Sequence, residues 1–219
     1  MKKLYLLSCL FAALSLHAQE AKTVFINMPD SICPLLTAVN RADCIDFLES
    51  QMKAEVTNRL NQKSEMTRLT ANDIHINLTP TSTWQLRLLA TSDSTSVISV
   101  ITTACAPACD SRIRFYTDQW KELPAGQFIT PPVLNDFLTL PADTADYALR
   151  DAVRQADMLL LKASFDTDTP ALTFTLSTPD YMNKEAADTL LPHVRQAIVY
   201  QWQQDNRRFV PAGTPFVLR

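Results

Sequence analysis

The apolar pattern of this chain predicts an α+β fold: an amino-terminal helix pair on a four-stranded antiparallel meander, followed by a second helix-and-hairpin unit with a carboxy-terminal helix. Three observations carry that reading. Apolar spacing is helical up to about residue 60, switches to a period of two near Met66, and returns to helical near residue 184. Composition agrees with a packed domain, since 47% of the 219 residues are hydrophobic and 20% are charged. The chain divides into a signal segment at 1–18, the helix pair and meander at 19–123, and a second α+β unit at 124–219, packed on the first.

Pro29-Asp30-Ser31 is a good helix start, and Ile32, Leu35, Leu36 and Val39 then mark one helical face. Asn40 breaks that helix and caps the next, which carries Cys44, Ile45, Leu48 and Met52 inward and runs towards Leu60. Strands follow where Ile74, Ile76 and Leu78, then Trp84, Leu86 and Leu88, alternate with polar residues. Val97 to Thr103 reads as a central strand, and Ile113 and Phe115 as a fourth. These alternating residues form the predicted inward face. Pro124, Gly126, Pro131 and Pro132 mark the boundary. Beyond it come a helix from Asp143 or Thr144 and a hairpin turning at Asp166 to Pro170. A last helix runs from Asn183 to Trp202, kinked or restarted at Pro192, and a closing strand spans Phe216 to Leu218.

Lys2 and Lys3, the apolar Leu4 to Leu16, and Leu16-His17-Ala18 before Gln19 have the order of a secretory signal peptide. That apolar stretch falls short of the roughly 20 residues needed to span a bilayer. The expected protein is therefore exported, to the periplasm or the cell surface, without a transmembrane segment. Its environment is oxidising, which makes the four remaining cysteines, Cys33, Cys44, Cys105 and Cys109, candidates for disulfides. Cys105 and Cys109 flank Ala106-Pro107-Ala108, a turn-forming spacer between two strands, so the expected bridge joins these two across a hairpin tip. Rival arrangements pair Cys33 or Cys44 with either of them, or leave free thiols. The rim of that loop, Pro107 with Asp110 and Ser111, is the first candidate for a recognition surface.

Several chemistries are excluded or unsupported. Average usage of about 7% would give roughly 15 glycines, whereas only Gly126 and Gly213 are present. No phosphate loop or dinucleotide fingerprint can be written with two. A net charge of −3 offers no footprint for nucleic acid. No metal-binding spacing stands out, no catalytic residue is assigned, and no cofactor is expected. Beyond the signal segment, His75 and His193 are the only histidines; His75 falls on the polar side of a strand and His193 just after Pro192. Asp166-Thr167-Asp168 resembles the opening of a calcium loop but lacks its later ligands and glycine, so it reads as a turn.

MPDSICPLLTAVNRADCIDF (28–47), MKAEVTNRLNQKSEMTRLT (52–70) and CAPACDSRIRFYTDQW (105–120) resemble an uncharacterised family of small exported proteins from Bacteroides-like bacteria, a domain of unknown function. The resemblance implies an α+β fold and envelope export, and supplies no catalytic residues. It also implies a modification, because exported proteins of such bacteria carry O-glycans at Asp-Ser or Asp-Thr followed by a small set of mostly apolar residues; Ser94 and Thr144 are the accessible matches. The helix-pair-then-meander order is also similar to β-lactamase-inhibitor-like and PepSY-like architectures, by fold analogy alone. Two functions from different classes fit this reading. One is a non-enzymatic binding or scaffolding module of the envelope, with a protein or glycan partner received on an open sheet face; the other is an extracytoplasmic hydrolase.

Overall fold

The computed structural model describes residues 20–92, 95–141 and 146–213. It overturns the predicted fold class, because the molecule is built mainly of two antiparallel sheets. The first has seven strands in sequence order: β1 (Glu55–Thr57), β2 (Lys63–Leu69), β3 (Asp73–Thr79), β4 (Ser82–Ala90), β5 (Ser96–Cys105), β6 (Cys109–Tyr116) and β7 (Glu122–Leu123). The four predicted strands are β3 to β6 of this sheet. The second sheet has four strands, β8 (Leu161–Phe165), β9 (Ala171–Leu176), β10 (Ile198–Gln203) and β11 (Arg208–Pro211), in the order β11-β10-β9-β8.

Helix is confined to short pieces. At the amino-terminal end lie α1 (Glu20–Ile26) and α2 (Ala38–Glu49). Thr37 caps α2, its hydroxyl accepting from the Asn40 amide while the Asn40 side chain accepts from the Thr37 amide. The predicted helix from Pro29 to Val39 is instead a run of turns over residues 30–36, and Ala38 and Val39 already belong to α2, which Thr37 caps in place of the expected Asn40; the reason is local. Pro34 contributes no amide, and the buried Arg41 guanidinium takes the Met28 and Leu36 carbonyls at 2.6 and 3.0 Å. Arg41 also donates to Asp30 at 2.9 Å, and Arg59 grips the other Asp30 oxygen at 2.6 Å. Together these hold the Asp30 carboxyl below its ordinary range, Arg41 contributing most.

The second predicted helix stops at Glu49, where Gln51 turns into the left-handed region at φ 57°. The chain continues into β1 and β2. The alternation of β2 is hard to see because one of its buried residues is Ser64, which donates to the Leu78 carbonyl at 2.6 Å and accepts from Asn58 at 2.9 Å. Beyond β7 lie α3 (Leu134–Phe137), α4 (Tyr147–Gln155) and α5 (Lys184–Leu190). The predicted carboxy-terminal helix ends at Leu190. Pro192 falls in a 3₁₀ turn, and the β-branched and aromatic run Ile198, Val199, Tyr200 and Trp202 pairs as β10 between β9 and β11. The predicted closing strand at 216–218 lies outside the described residues.

Both faces of the first sheet are covered over its central strands. Ile74, Ile76, Leu78, Trp84, Leu86 and Leu88 point to one core, shared with Phe25 and Met28 near α1 and Cys44 and Ile45 of α2. Phe115, with half-buried Ile113, points to the opposite core, formed with Phe165, Leu172, Phe174, Tyr200 and Trp202 of the second sheet. The predicted inward set is thus split between two layers. That second core draws on residues from both sides of the 123/124 boundary.

The polar residues alternating along β4 are buried too. Arg87 donates to Asp73 and to the Thr169 and Asp166 carbonyls, and lies 5.3 Å above the Phe165 ring. Asp73 also accepts from Arg68. The Asp73 carboxylate therefore aligns the arginine that clamps the β8–β9 turn. Asp73→Ala is expected to destabilise the protein by about 3 kcal/mol, because it strands a buried cation. Urea unfolding measures this; a loss under about 1 kcal/mol would show that the pair is not structurally important.

Candidate functional site

The predicted disulfide is present. Cys105 and Cys109 pair at the end of the β5–β6 hairpin with Cα atoms 3.9 Å apart, closer than the roughly 4.4–6.8 Å usual for a bridge. Cys33 and Cys44 are buried thiols in the first core, both pushed up to about 11 chiefly by burial. Thiols so protonated are poor nucleophiles. The bridge closes a short loop, so its stabilisation is about 2 kcal/mol on the chain-entropy model. The double variant Cys105→Ser with Cys109→Ser should stay folded and lose about that much in urea unfolding.

The rim of the disulfide loop is divided in its roles. Pro107 is exposed at the tip. Asp110 and Ser111 reach to the second sheet, accepting from the Leu161 and Ala163 amides at 3.3 and 2.9 Å. Ser94 and Thr144 lie outside the described residues.

The histidines are placed apart. His75 stands on β3 with its Nδ1 2.7 Å from the Thr67 hydroxyl. Partial burial, and then the charge of Arg68, push His75 below the ordinary histidine value of 6.5. A depressed histidine is protonated more readily in the unfolded chain, so the stability it permits is present above about pH 6.5 and declines as the pH falls below that value. His75→Gln should flatten the fall in urea midpoint between about pH 7.5 and 5.5; an unchanged slope would assign it to another group. His193 lies in the turn after α5, where its carbonyl accepts from the Thr139 amide at 2.8 Å. Among the described residues no group of three or more His, Cys, Asp or Glu is placed to hold a metal ion.

A groove of about 1000 Å³ lies at the other end of the β5–β6 pair from the disulfide. Its floor is apolar and joins the margins of both cores, with Val24, Leu88 and Ile98 from the first and Val97, Leu123 and Phe128 from the second. Its rim is polar, made by Thr23 of α1, Thr95, Ser96, Thr117, Asp118, Gln127 and the β10–β11 turn at Asn206 and Arg207. Neither histidine lines it.

Local packing explains why the groove exists. β6 stops at Tyr116, and the chain turns back through residues 117–121, closed by the Thr117 amide donating to the Lys121 carbonyl at 3.0 Å. Trp120 takes a left-handed φ of 61°, costly for a bulky residue. It is held there by packing on Tyr116, at 5.3 Å between ring centroids, and by its indole N–H donating to the Val24 carbonyl at 3.1 Å. The turn is thereby drawn towards α1 and away from β5. Phe128 closes the opposite wall, stacked on Phe115 at 4.7 Å. Sequence reasoning missed this site because its lining comes from seven separate stretches of chain; the one local signal was the Thr117-Asp118 break after the fourth strand.

Fold and site together define a two-sheet β protein with helices against one face and a groove at one end of the larger sheet. The chain belongs to the family described as "Protein of unknown function (DUF3256)", which matches residues 13–209. This agrees with the resemblance to an uncharacterised family. No curated protein matches it. Among solved structures it is similar to a domain of an uncharacterised protein from Porphyromonas gingivalis W83: 26% identity over 89% of this chain and 98% of that one, with a TM-score of 0.77.

Proposed function

We propose that the protein is an exported, non-enzymatic binding module of the cell envelope, with its ligand seated in the groove between α1, the start of β5 and the β6–β7 turn. The groove carries the reading. It combines an apolar floor with a few convergent polar groups, the usual make-up of a ligand site. The open apolar sheet face on which a partner was expected is instead covered by the second sheet. Export is supported by the signal-like first 18 residues and by the Cys105–Cys109 bridge, which suits an oxidising compartment. Ala21, just past the expected cleavage point, is already buried in the first core. Among the described residues no helix is long and apolar enough to cross a membrane.

Thr23 and Gln127 are exposed on opposite walls, so Thr23→Trp with Gln127→Trp fills the groove without touching either core. Affinity capture from envelope fractions of the native organism should recover a protein or glycan with the wild type and lose it with this variant. Equal recovery by both, with unchanged urea midpoints, would refute the groove as the binding site.

A further inference from the structure

We infer that the groove takes an extended peptide carrying apolar side chains on both faces and a basic residue near one end, added as a strand to the open start of β5. This rests on the groove being the binding site, and names what it binds.

Backbone register carries the argument. The Thr91 amide donates to the Thr95 carbonyl at 3.0 Å, and the Cys105 amide to the Thr81 carbonyl at 2.9 Å. The odd residues of β5 therefore direct their backbone groups to β4, and the even ones to β6. On the β6 side, pairing ends at Ile98↔Tyr116. The next even residue, Ser96, would face Asp118, but Asp118 has left with the 117–121 turn. The Ser96 amide and carbonyl thus point into the groove, at a place where one more strand segment fits the ladder. Strand addition to such an edge takes its affinity from main-chain bonds and its selectivity from alternate side chains.

The walls match that occupant. Side chains of an added strand project alternately to the two faces of the sheet. One face meets Val24, Leu88 and Ile98; the other meets Val97, Leu123 and Phe128. A strand with a single apolar face would leave one wall uncovered. Two charged residues line the groove: Arg207 is already engaged in a contact, whereas Asp118, beside the notch, makes no ion pair among the described residues, so charge complementarity places a lysine or arginine of the peptide at Asp118.

The test uses the intact protein and an array of end-blocked hexapeptides, each with four apolar residues and one Lys, beside a matched set with Glu for Lys. The Lys set should be retained about fivefold or more over the Glu set, a modest preference suited to one partly exposed ion pair. Asp118→Lys should reverse that order. N-methylation of the peptide amide facing Ser96 should weaken the best binder about tenfold, the loss of one buried hydrogen bond. The Ser96 amide should shift in an ¹⁵N-correlated spectrum on binding. Equal retention of both sets, indifference to N-methylation, or an unmoved Ser96 amide would each overturn the strand-addition inference. If no peptide binds while the double tryptophan variant still loses its envelope partner, the peptide is wrong and the groove stands. Should that variant lose nothing, the groove itself is wrong.

Discussion

Three side chains of the first sheet cap the free edge of the second, and the rest of the architecture depends on that junction. In β8 the amides of Leu161, Ala163 and Phe165 find acceptors in Asp110, Ser111 and Gln85. An unpaired buried amide costs about 1–3 kcal/mol, so without these acceptors the two sheets could not pack here. The caps sit on β6 and β4, which makes β8 run across the strands of the larger sheet. Arg87 extends the junction by holding the Asp166 and Thr169 carbonyls of the β8–β9 turn. That turn is further stiffened by Asp166, whose carboxylate accepts from the Asp168 and Thr169 amides and the Thr169 hydroxyl.

With the second sheet seated, β4 from Trp84 to Leu89 and β5 from Val97 to Ile101 are buried on both faces. The first face is closed by α1, α2 and the turns that Arg41 gathers between them. Two tryptophans tie these layers at their margins through indole bonds to main-chain carbonyls, Trp120 to Val24 and Trp202 to Ala90. Sheet edges are also managed. At β1, Glu55 pairs with Lys53 just before the strand and with Lys63 of β2, and the Phe209 amide of β11 is taken by the Phe128 carbonyl at 2.7 Å. The start of β5, at Ser96, is the strand segment left facing a cavity.

The disulfide and the groove lie at opposite ends of the same strand pair. The bridge closes the hairpin where β5 ends and β6 begins, while the groove opens where β6 has ended and β5 is beginning. A rigid pair of this kind fixes the separation of loop and groove, and tight packing of Phe115 and Tyr116 on Phe128 and Trp120 transmits their positions to the groove walls.

Much was decided by the sequence alone. Alternation placed β3, β4 and β6, because a strand with one apolar face declares itself in every second residue, and the apolar run from Val97 to Thr103 placed β5. The proline spacer and the expectation of an oxidising compartment pointed to Cys105–Cys109, and that bridge is local. Its outcome needed no knowledge of distant chain. Other features could be decided only in three dimensions. Gln85 and Arg87 read as the polar alternates of a strand, and Asp110 and Ser111 as the rim of a recognition loop, yet these four receive the second sheet; polar side chains look the same whether water or a buried amide is their partner. The turns from Met28 to Leu36 depend on an arginine several residues on, and Ile198 to Trp202 becomes strand because β9 and β11 flank it. The groove depends on an absence of pairing at Ser96, created by a tryptophan anchored to a helix nearly a hundred residues earlier. A sequence pattern records which side chains are apolar. Which backbone groups remain unpaired is settled only when the strands have met.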